Sequence, residues 1–382
     1  MTLSIYADYA ATTPVDPRVA DAMARHLTQD GVFGNPASRS HGFGWDAEEA
    51  VELARGQIAA LINADPREIV FTSGATESDN LALKGVLLRE PAGHLITSAI
   101  EHKAVIDTAT WLEARGYSVT FLEPRSDGLV HLDQVAAAVR PDTRLVSLMH
   151  VNNELGTALE LGPIGRWCRE RNILFHTDAA QGFGKLPIDV RADAIDLLSV
   201  SGHKIYGPKG VGILCVRRDP PLALEAQMHG GGHERGLRSG TLPTHQIVGL
   251  GLAAEIMRIE GPAEAERLLA LRERLLDGVL AIPGTRLHGD RHQRVAGIVN
   301  LGFEGVDGET LLMALDDVAA SNGSACTSAS VEPSFVLRAI GVPDAIAHAS
   351  LRLSVGRYST EADVDHMVAR LREITQRLRT AA

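Results

Sequence analysis

Short apolar runs alternate with amphipathic stretches from about residue 46 to about residue 218. Several of these runs are apolar nearly throughout, which is typical of strands that are covered on both faces. The runs that we predict to be strands are Ile69–Phe71, His94–Thr97, Val119–Leu122, Leu145–Met149, Ile173–His176, Leu197–Val200 and Val211–Val216.

The amphipathic stretches between these runs predict helices, which are Asp46–Ile62, Glu77–Leu88, His102–Arg115 and Leu132–Val139. Strands that alternate with helices predict an α/β fold, in which a mostly parallel seven-stranded sheet has helices on both faces. The seventh run follows the sixth by only about ten residues, which leaves little room for a crossover helix. We therefore expect one antiparallel pair in the sheet.

The pattern changes after about residue 260 and predicts a smaller α+β domain. A strongly periodic helix is expected over Ala263–Leu280, after a junction at Gly261 and Pro262. The elements expected after it are a strand at Ile298–Phe303, a helix at Gly308–Leu315, a strand at Leu351–Val355 and a helix at Thr360–Leu378. We expect residues 15–260 to form the large domain, and residues 1–14 and 261–382 to form the small domain.

Polar clusters follow four of the predicted strands. They are Thr72–Asn80, His150–Glu154, His176–Gln181 and Ser201–Lys204. Ligands of open α/β sheets bind beyond the carboxyl ends of the strands, so these clusters are expected to share one rim.

The order of these polar residues suits pyridoxal phosphate, which needs an amine, a carboxylate and a phosphate site. Lys204 would supply the amine for the Schiff base, and Asp178 would hold the pyridine nitrogen protonated. The expected phosphate site consists of the helix start at Ala75 and Thr76 together with Ser201 and His203. Each residue also has an ordinary structural interpretation, as a helix cap, a solvated lysine or a common helix entrance.

Lysine and cysteine are scarce, since the 382 residues include five lysines and three cysteines. Cys168 lies in a helical pattern and Cys215 in an apolar strand, where free cysteine acts as a small hydrophobe. Cys326 lies in the small, polar stretch Ser321–Ser330, whose composition is typical of an exposed loop. An odd, low cysteine count without a CxxC pair predicts a reducing compartment and neither a disulfide framework nor a structural zinc site.

The charge balance narrows the possible partners. The chain carries 37 basic and 48 acidic residues, a net charge of −11, which argues against direct binding to nucleic acid or to an anionic membrane. There is no signal-peptide pattern and no apolar run of the length that spans a membrane. We therefore expect a cytoplasmic enzyme.

Seven motifs distributed along the chain resemble those of one enzyme family. They are Asp8–Pro14, Gly34–Ser38, Phe71–Ser78, Glu101–Lys103, Ser201–Gly210, His229–Thr241 and Gly323–Cys326. With these motifs the chain resembles the bacterial cysteine desulfurases of the IscS/NifS group, which have the class V aminotransferase fold. The resemblance covers essentially the whole chain and implies fold type I of the pyridoxal phosphate-dependent transferases.

The resemblance also implies a role for each residue around the cofactor. Lys204 would form the Schiff base, Asp178 would pair with the pyridine nitrogen, and His102 would stack on the ring and shuttle protons. The residues that would bind the phosphate are Ala75, Thr76, Ser201, Gly202 and His203.

Four further residues receive roles from the same resemblance. Gln181 and Asn153 would hydrogen-bond near the ring hydroxyl, and Asn153 would also face the substrate. Arg352 would hold the substrate carboxylate through a bidentate pair. Thr241 would reach the phosphate of the neighbouring subunit, which requires a homodimer.

For Cys326 the resemblance implies the catalytic role. Its thiolate would attack the sulfur of L-cysteine, which leaves a persulfide on Cys326 and releases L-alanine. The sulfur would pass to acceptor proteins such as an iron–sulfur scaffold or a tRNA-thiolation sulfur carrier. Cys326 could then be a transient iron–sulfur ligand with a scaffold partner, and no resident metal is expected. Housekeeping members typically carry a C-terminal segment beyond the last predicted helix, so scaffold docking is left open.

Other functions share part of this pattern. A class V aminotransferase would have the same cofactor site but no use for Cys326, and a selenocysteine lyase would share even the cysteine. A non-enzymatic sulfur-relay adaptor would not need Lys204 and Asp178 together. The run His229–His233 could be a metal site. We instead expect its three glycines to let the backbone come close to a ligand or a partner.

Overall fold

Strands and helices alternate through residues 5–322 and 333–381, the ranges that the computed structural model describes. The strands are β1 (Ile5–Tyr6), β2 (Ile69–Thr72), β3 (His94–Ser98), β4 (Ser118–Leu122), β5 (Thr143–Ser147), β6 (Leu174–Asp178), β7 (Leu197–Ser201), β8 (Gly212–Val216), β9 (Thr285–Leu287), β10 (Ile298–Phe303), β11 (Val318–Ala319) and β12 (Ser350–Ser354).

The helices connect these strands and cover them. They are α1 (Pro17–Ala24), α2 (Gly42–Leu61), α3 (Ala75–Leu87), α4 (Lys103–Glu113), α5 (Leu132–Ala138), α6 (Leu161–Arg169), α7 (Thr244–Leu280), α8 (Gly308–Ala314), α9 (Phe335–Ala339), α10 (Asp344–His348) and α11 (Glu361–Ala381). Short 3-10 helices lie at Pro66–Glu68, Gly202–Lys204 and Glu234–Gly236. None of the helices in the described ranges combines the length and apolar character that a membrane crossing requires.

The central sheet has seven strands in the order β2-β8-β7-β6-β5-β3-β4. Strand β8 runs antiparallel to both of its neighbours, and the other pairs are parallel. The predicted α/β fold with a mostly parallel seven-stranded sheet is therefore confirmed. The expected antiparallel pair is β7–β8, and the second one, β2–β8, arises because β8 inserts beside the first strand of the sheet.

The strands separate two apolar layers because successive side chains point to opposite faces. Leu198 and Val200 pack into one layer with helices α2, α6 and α7. Leu197 packs into the other layer with helices α3 and α4. This arrangement explains why the strands are apolar nearly throughout.

A second core lies around the antiparallel sheet β12-β10-β9. Val299 and Leu301 of β10 pack there with Leu351 of β12 and with apolar residues of helices α7, α8 and α11. The N-terminal strand β1 pairs with β11 and places Ala7 in the same core. Residues 5–7 therefore pack among residues from the last third of the chain.

Helix α7 differs from the prediction, because it begins at Thr244 and continues through Gly261 and Pro262. Its first half buries residues such as Ile247 in the first core, and its second half buries residues such as Leu275 in the second. Burial on both sides outweighs the cost of an internal proline, which is about 3 kcal/mol. The predicted helix start at residue 263 is wrong, and the domain boundaries stay a prediction.

Candidate active site

Lys204 lies at the carboxyl end of the central sheet, in the 3-10 helix that follows β7. Its ammonium Nζ donates hydrogen bonds to the backbone carbonyls of Ala10 and Ala11, each over 2.7 Å. The N-terminal segment therefore crosses directly over the lysine, and these carbonyls hold its charge at the rim.

Asp178 ends the neighbouring strand β6 and is buried. Its Oδ1 accepts a hydrogen bond of 2.9 Å from the backbone N–H of Ala180. Burial raises the pKa of the Asp178 carboxyl, while His102, Ala180 and Lys204 act in the opposite direction. His102 caps helix α4, where its Nδ1 accepts from the Ala104 N–H over 3.1 Å. The predicted lysine and histidine therefore both lie close enough to the Asp178 carboxylate to interact with its charge.

Helix α3 begins at the same rim and leaves its first amides available. Gly74, at its N-cap, has φ 153° and makes no side-chain hydrogen bond to the helix. A Cβ on Gly212 would lie 2.7 Å from the Gly74 Cα, so only glycine permits this approach of β8 to the helix start. The backbone amides of Ala75 and Thr76, next to buried Ser201, therefore present an anion-binding helix N-terminus.

His203 connects this rim to the N-terminal segment. Its Nδ1 lies 3.0 Å from the Thr12 hydroxyl, and its backbone carbonyl accepts from the Thr13 N–H over 2.9 Å. Burial, together with Lys204 and other nearby lysines, lowers the pKa of the imidazole to about 4. At neutral pH His203 is therefore an uncharged hydrogen-bonding group.

Gln181 is buried on the turn after β6. Its Nε2 donates to the Ala10 carbonyl over 2.7 Å, and its Oε1 accepts from Lys185 Nζ over 3.0 Å. The amide therefore shares the Ala10 carbonyl with Lys204.

Arg352 lies in β12 and its side chain is 2% exposed. One terminal nitrogen donates to Asp8 Oδ1 over 2.7 Å, and the other donates to the Asn153 carbonyl over 2.9 Å. Its Nε is buried and has no hydrogen-bond partner among the described residues. A buried guanidinium with a spare donor suits a carboxylate ligand.

A group of buried polar side chains lies beneath the rim. Neither carboxylate oxygen of Asp79, on α3, has a hydrogen-bond partner within the described ranges. Its Oδ1 is 3.6 Å from Nε2 of His176, whose pKa burial lowers to about 3. Burial raises the pKa of Asp79 and of Glu101, and the charge of Asp178 adds to the effect on both. Burial beside Asp178 therefore disfavours the charged forms of both the Asp79 and the Glu101 carboxyl.

Some predicted residues stand apart from this group. Thr241 is exposed, and Thr76 exposes its side chain at the start of α3. Cys326 lies outside the described residues, as do Gly323 and Ser324 of the same motif.

The glycine-rich run His229–His233 leads into Glu234, which is bound to the central sheet. All three of its glycines have positive φ, and no group of potential metal ligands occurs among the described residues. Glu234, directly after the run, forms a buried bidentate ion pair of 2.9 Å with Arg55 of α2 and accepts from the Phe71 N–H. This pair attaches the run to the central sheet.

Two residues of the site received no role from the sequence. Asp8 holds Arg352 although 344 residues separate them, so no local pattern could reveal the pair. Lys185 stands beside Gln181 and close enough to Lys204 for the two charges to interact. In the sequence, the position of Lys185 shortly after Asp178 could have indicated that it lies near the same rim.

Comparisons with known proteins show the family to which the chain belongs. The class V aminotransferase family model matches residues 5–367. Cysteine desulfurase IscS from Shewanella sp. (strain W3-18-1) is 58% identical over 381 residues, which are 99% of this chain and 94% of that protein. The enzyme of the same name from Aeromonas hydrophila is 59% identical over the same shares.

Solved structures show the same fold. A NifS-like protein superposes with a TM-score of 0.91 at 35% identity and covers 98% of this chain and 100% of its own. SspA in complex with cysteine superposes with a TM-score of 0.84 at 42% identity, covering 94% of this chain and 100% of its own.

The fold, the lysine–aspartate pair and the family match lead to one assignment: the chain belongs to the class V aminotransferase family. Within that family it is a cysteine desulfurase that depends on pyridoxal phosphate. The resemblance predicted from the motifs is thereby confirmed.

The described residues fit this cofactor. The uncapped start of α3 provides amides for a phosphate, as a helix N-terminus does in many phosphate sites. The buried Asp178 carboxylate accepts one backbone N–H and retains acceptor capacity for a protonated ring nitrogen. Lys204 lies between these two features. It follows β7, which stands in the sheet between β6, where Asp178 ends the strand, and β2, which leads into α3.

Proposed function

We propose that this enzyme converts L-cysteine to L-alanine and transfers the sulfur to Cys326 as a persulfide. One observation carries the choice of an amino acid substrate. The segment Asp8–Ala11 contacts Arg352 through Asp8 and Lys204 through the carbonyls of Ala10 and Ala11. The same short segment thus contacts both a carboxylate anchor and a reactive amine.

The proposed residue roles combine these contacts with those that the family resemblance implies. Arg352 binds the substrate carboxylate, with Asn153 beside it. Ala75, Thr76, Ser201, Gly202 and His203 hold the phosphate of the cofactor. Gln181 and Asn153 hold the ring hydroxyl, and Thr241 reaches the phosphate in a partner subunit.

Pyridoxal phosphate, when bound, supplies an electron-accepting ring that stabilises negative charge on the substrate carbons. Asp178 would hold the ring nitrogen protonated, because its buried carboxylate accepts one backbone N–H and retains acceptor capacity. Lys204 would hold the cofactor and move a proton at its Nζ. His102, whose Nδ1 accepts from the Ala104 N–H, would stack on the ring and move protons at its Nε2.

The sulfur step balances with one thiol from the protein. The Cys326 thiolate attacks the substrate sulfur, the sulfur–sulfur bond forms and the bond from Cβ to sulfur breaks. The electron pair of the broken bond stays on the substrate and takes up a proton at Cβ. The sulfur is oxidised to the persulfide level while the carbon is reduced, and L-alanine leaves.

The persulfide would then pass its outer sulfur to a thiol of an acceptor protein. The relatives named IscS support acceptors of iron–sulfur cluster assembly, and a tRNA-thiolation carrier has the same thiol chemistry. With a scaffold partner, Cys326 would serve as a transient iron–sulfur ligand. We place the enzyme in the cytoplasm, where thiols stay reduced.

The proposal includes a homodimer. Phe33, Phe43 and Trp45 each expose about half of their surface, and the Phe33 and Phe43 rings are 5.3 Å apart. An exposed apolar cluster of this kind is typical of a protein–protein contact. Exposed Thr241 is then available to a second copy of the chain.

Replacement of the cysteines tests the function. Cys326→Ser should keep the visible absorption of bound cofactor and lose the formation of alanine from L-cysteine. Cys168→Ser is the matched control, because Cys168 is buried in the first core and should not affect turnover. Sustained alanine formation by Cys326→Ser, or alanine formation that requires a 2-oxo acid, would contradict the proposal.

A further inference from the structure

Lys185 is a second lysine beside the candidate cofactor site, and none of the roles above uses it. It follows the turn after β6, and its Nζ lies 3.0 Å from Gln181 Oε1. Its side chain lines a cavity between the two cores, together with Tyr9, Tyr206 and Glu264. Lys185 is half-buried, and the partial removal of a lysine from water is costly, so its contact with Gln181 has to offset that cost.

Gln181 extends this contact to the reactive lysine. Its Nε2 donates to the Ala10 carbonyl over 2.7 Å, and Lys204 Nζ donates to the same carbonyl over 2.7 Å. Three hydrogen bonds therefore connect the two lysines through one buried amide and one backbone carbonyl.

The chemistry of the partners fixes the orientation of the amide. An ammonium group has only donors, so Gln181 Oε1 must face Lys185. A backbone carbonyl has only acceptors, so Gln181 Nε2 must face Ala10. The second hydrogen on Nε2 is then left for a further acceptor.

We propose that Lys185 is a positioning residue that holds the Gln181 amide in the orientation in which it binds the ring of pyridoxal phosphate beside Lys204. The inference rests on the proposed function, which assigns Gln181 and Lys204 to the cofactor. Lys185 also adds a positive charge near Lys204, which disfavours protonation there.

The surroundings of Lys185 support this role. Burial and the charge of Lys204 lower the pKa of Lys185 to about 7, while Glu264 of α7 acts in the opposite direction. Glu264 is held by Arg357 over 2.7 Å. Lys185 in turn contributes to the lowered pKa of His203. The charged and titratable groups around Lys185 are Lys204, His203, Glu264, Tyr9 and Tyr206.

The test is the pH titration of the visible absorption of the cofactor-loaded protein, measured without cysteine. Lys185→Met should move the midpoint upward by about one pH unit, which is a tenfold change in proton affinity. Lys185→Arg keeps a charged donor and should stay close to the wild-type midpoint. Lys84→Met is the control, since Lys84 on α3 lies over the Trp111 ring of α4, outside the proposed machinery.

A double variant shows whether Lys185 acts through the amide. In a Gln181→Leu background, Lys185→Met should produce much less of its shift, because the link is already broken. If Lys185→Met does not fold, Lys185→Leu takes its place as an uncharged side chain that has no donor for Gln181.

Three results would overturn the proposal: a wild-type midpoint in Lys185→Met, equal shifts in the Met and Arg variants, or an undiminished shift in the Gln181→Leu background. A normal yield of alanine in these cases would leave the proposed function intact. A wild-type protein that binds pyridoxal phosphate without visible absorption would contradict both proposals.

Discussion

At the scale of single residues, the guanidinium of Arg352 is the clearest sign of the substrate. Asp8 and the Asn153 carbonyl fix its two terminal nitrogens, and its buried Nε has no partner among the described residues. Leaving such a donor unpaired costs about 1–3 kcal/mol, so a carboxylate bound there recovers that energy.

We therefore expect Arg352→Lys to weaken the binding of L-cysteine. A lysine cannot form the bidentate pair, and a loss of about 1.5–3 kcal/mol raises KM roughly 10- to 100-fold. Steady-state alanine formation measures this change, and cofactor absorption should stay the same. Arg274→Lys, on the exposed part of α7 against Asp365, is the control. An unchanged KM in Arg352→Lys would exclude Arg352 as the anchor.

The sequence predicted part of the site at this scale. Lys204 and Asp178 follow buried strands, so the strand-end rule was enough to bring them together. Asp8 was missed because its role depends on a tertiary contact with Arg352 that no spacing along the chain encodes. Lys185 was missed although its partner Gln181 lies only four residues before it, because a lysine after a turn is ordinarily solvated.

At the scale of elements, the start of α1 is a junction between the two ends of the chain. Asp16 caps α1 by accepting from the Arg18 N–H over 2.9 Å, and its other oxygen accepts from Arg357 over 2.7 Å. Hydrogen bonds from Arg18 lower the pKa of Asp16 to about 2, against the effect of burial. The carboxylate therefore stabilises the fold most when it is ionised.

Asp16→Asn should lower the free energy of unfolding by about 1–3 kcal/mol at neutral pH, because it weakens a cap and leaves Arg357 without a charged partner. A carboxyl with a lowered pKa contributes stability above its ordinary pKa and loses it as the pH falls. The difference between wild type and variant should thus be constant near neutrality and shrink from about pH 4 to about pH 2. Urea unfolding at a series of pH values measures it, and a difference that grows toward low pH would contradict the assignment.

The elements themselves were largely predictable, because strands buried on both faces are apolar and their connecting helices are periodic. Strand β10 has the predicted bounds Ile298–Phe303. The course of α7 was not predictable, since Gly261 and Pro262 locally favour a break and only the burial of both halves in two cores outweighs them.

At the scale of the whole molecule, the proposed dimer can be tested by mixing two defective chains. Lys204→Ala removes the reactive lysine, and Thr241→Ala removes the group proposed to reach the partner's phosphate. In a mixed dimer, one site has both an intact Lys204 and an intact Thr241 from the partner chain. We expect that site to bind pyridoxal phosphate with wild-type affinity, while Thr241→Ala alone binds it roughly tenfold more weakly, the effect of one lost hydrogen bond to a charged group.

The measurement is the cofactor affinity of the reassembled mixture, with each unmixed variant as its control. Light scattering should show a dimer in every sample. A monomer, or a mixture that never exceeds Thr241→Ala in affinity, would contradict the shared site.

The central claim is that the sulfur of L-cysteine moves to Cys326. The most direct measurement is the mass of the peptide that contains Cys326, after the cofactor-loaded enzyme has been incubated with L-cysteine and its thiols have been trapped. We expect one added sulfur atom on Cys326 for each alanine formed in the first turnover, and none on Cys168 or Cys215. Alanine formed with no added sulfur on Cys326 would contradict it.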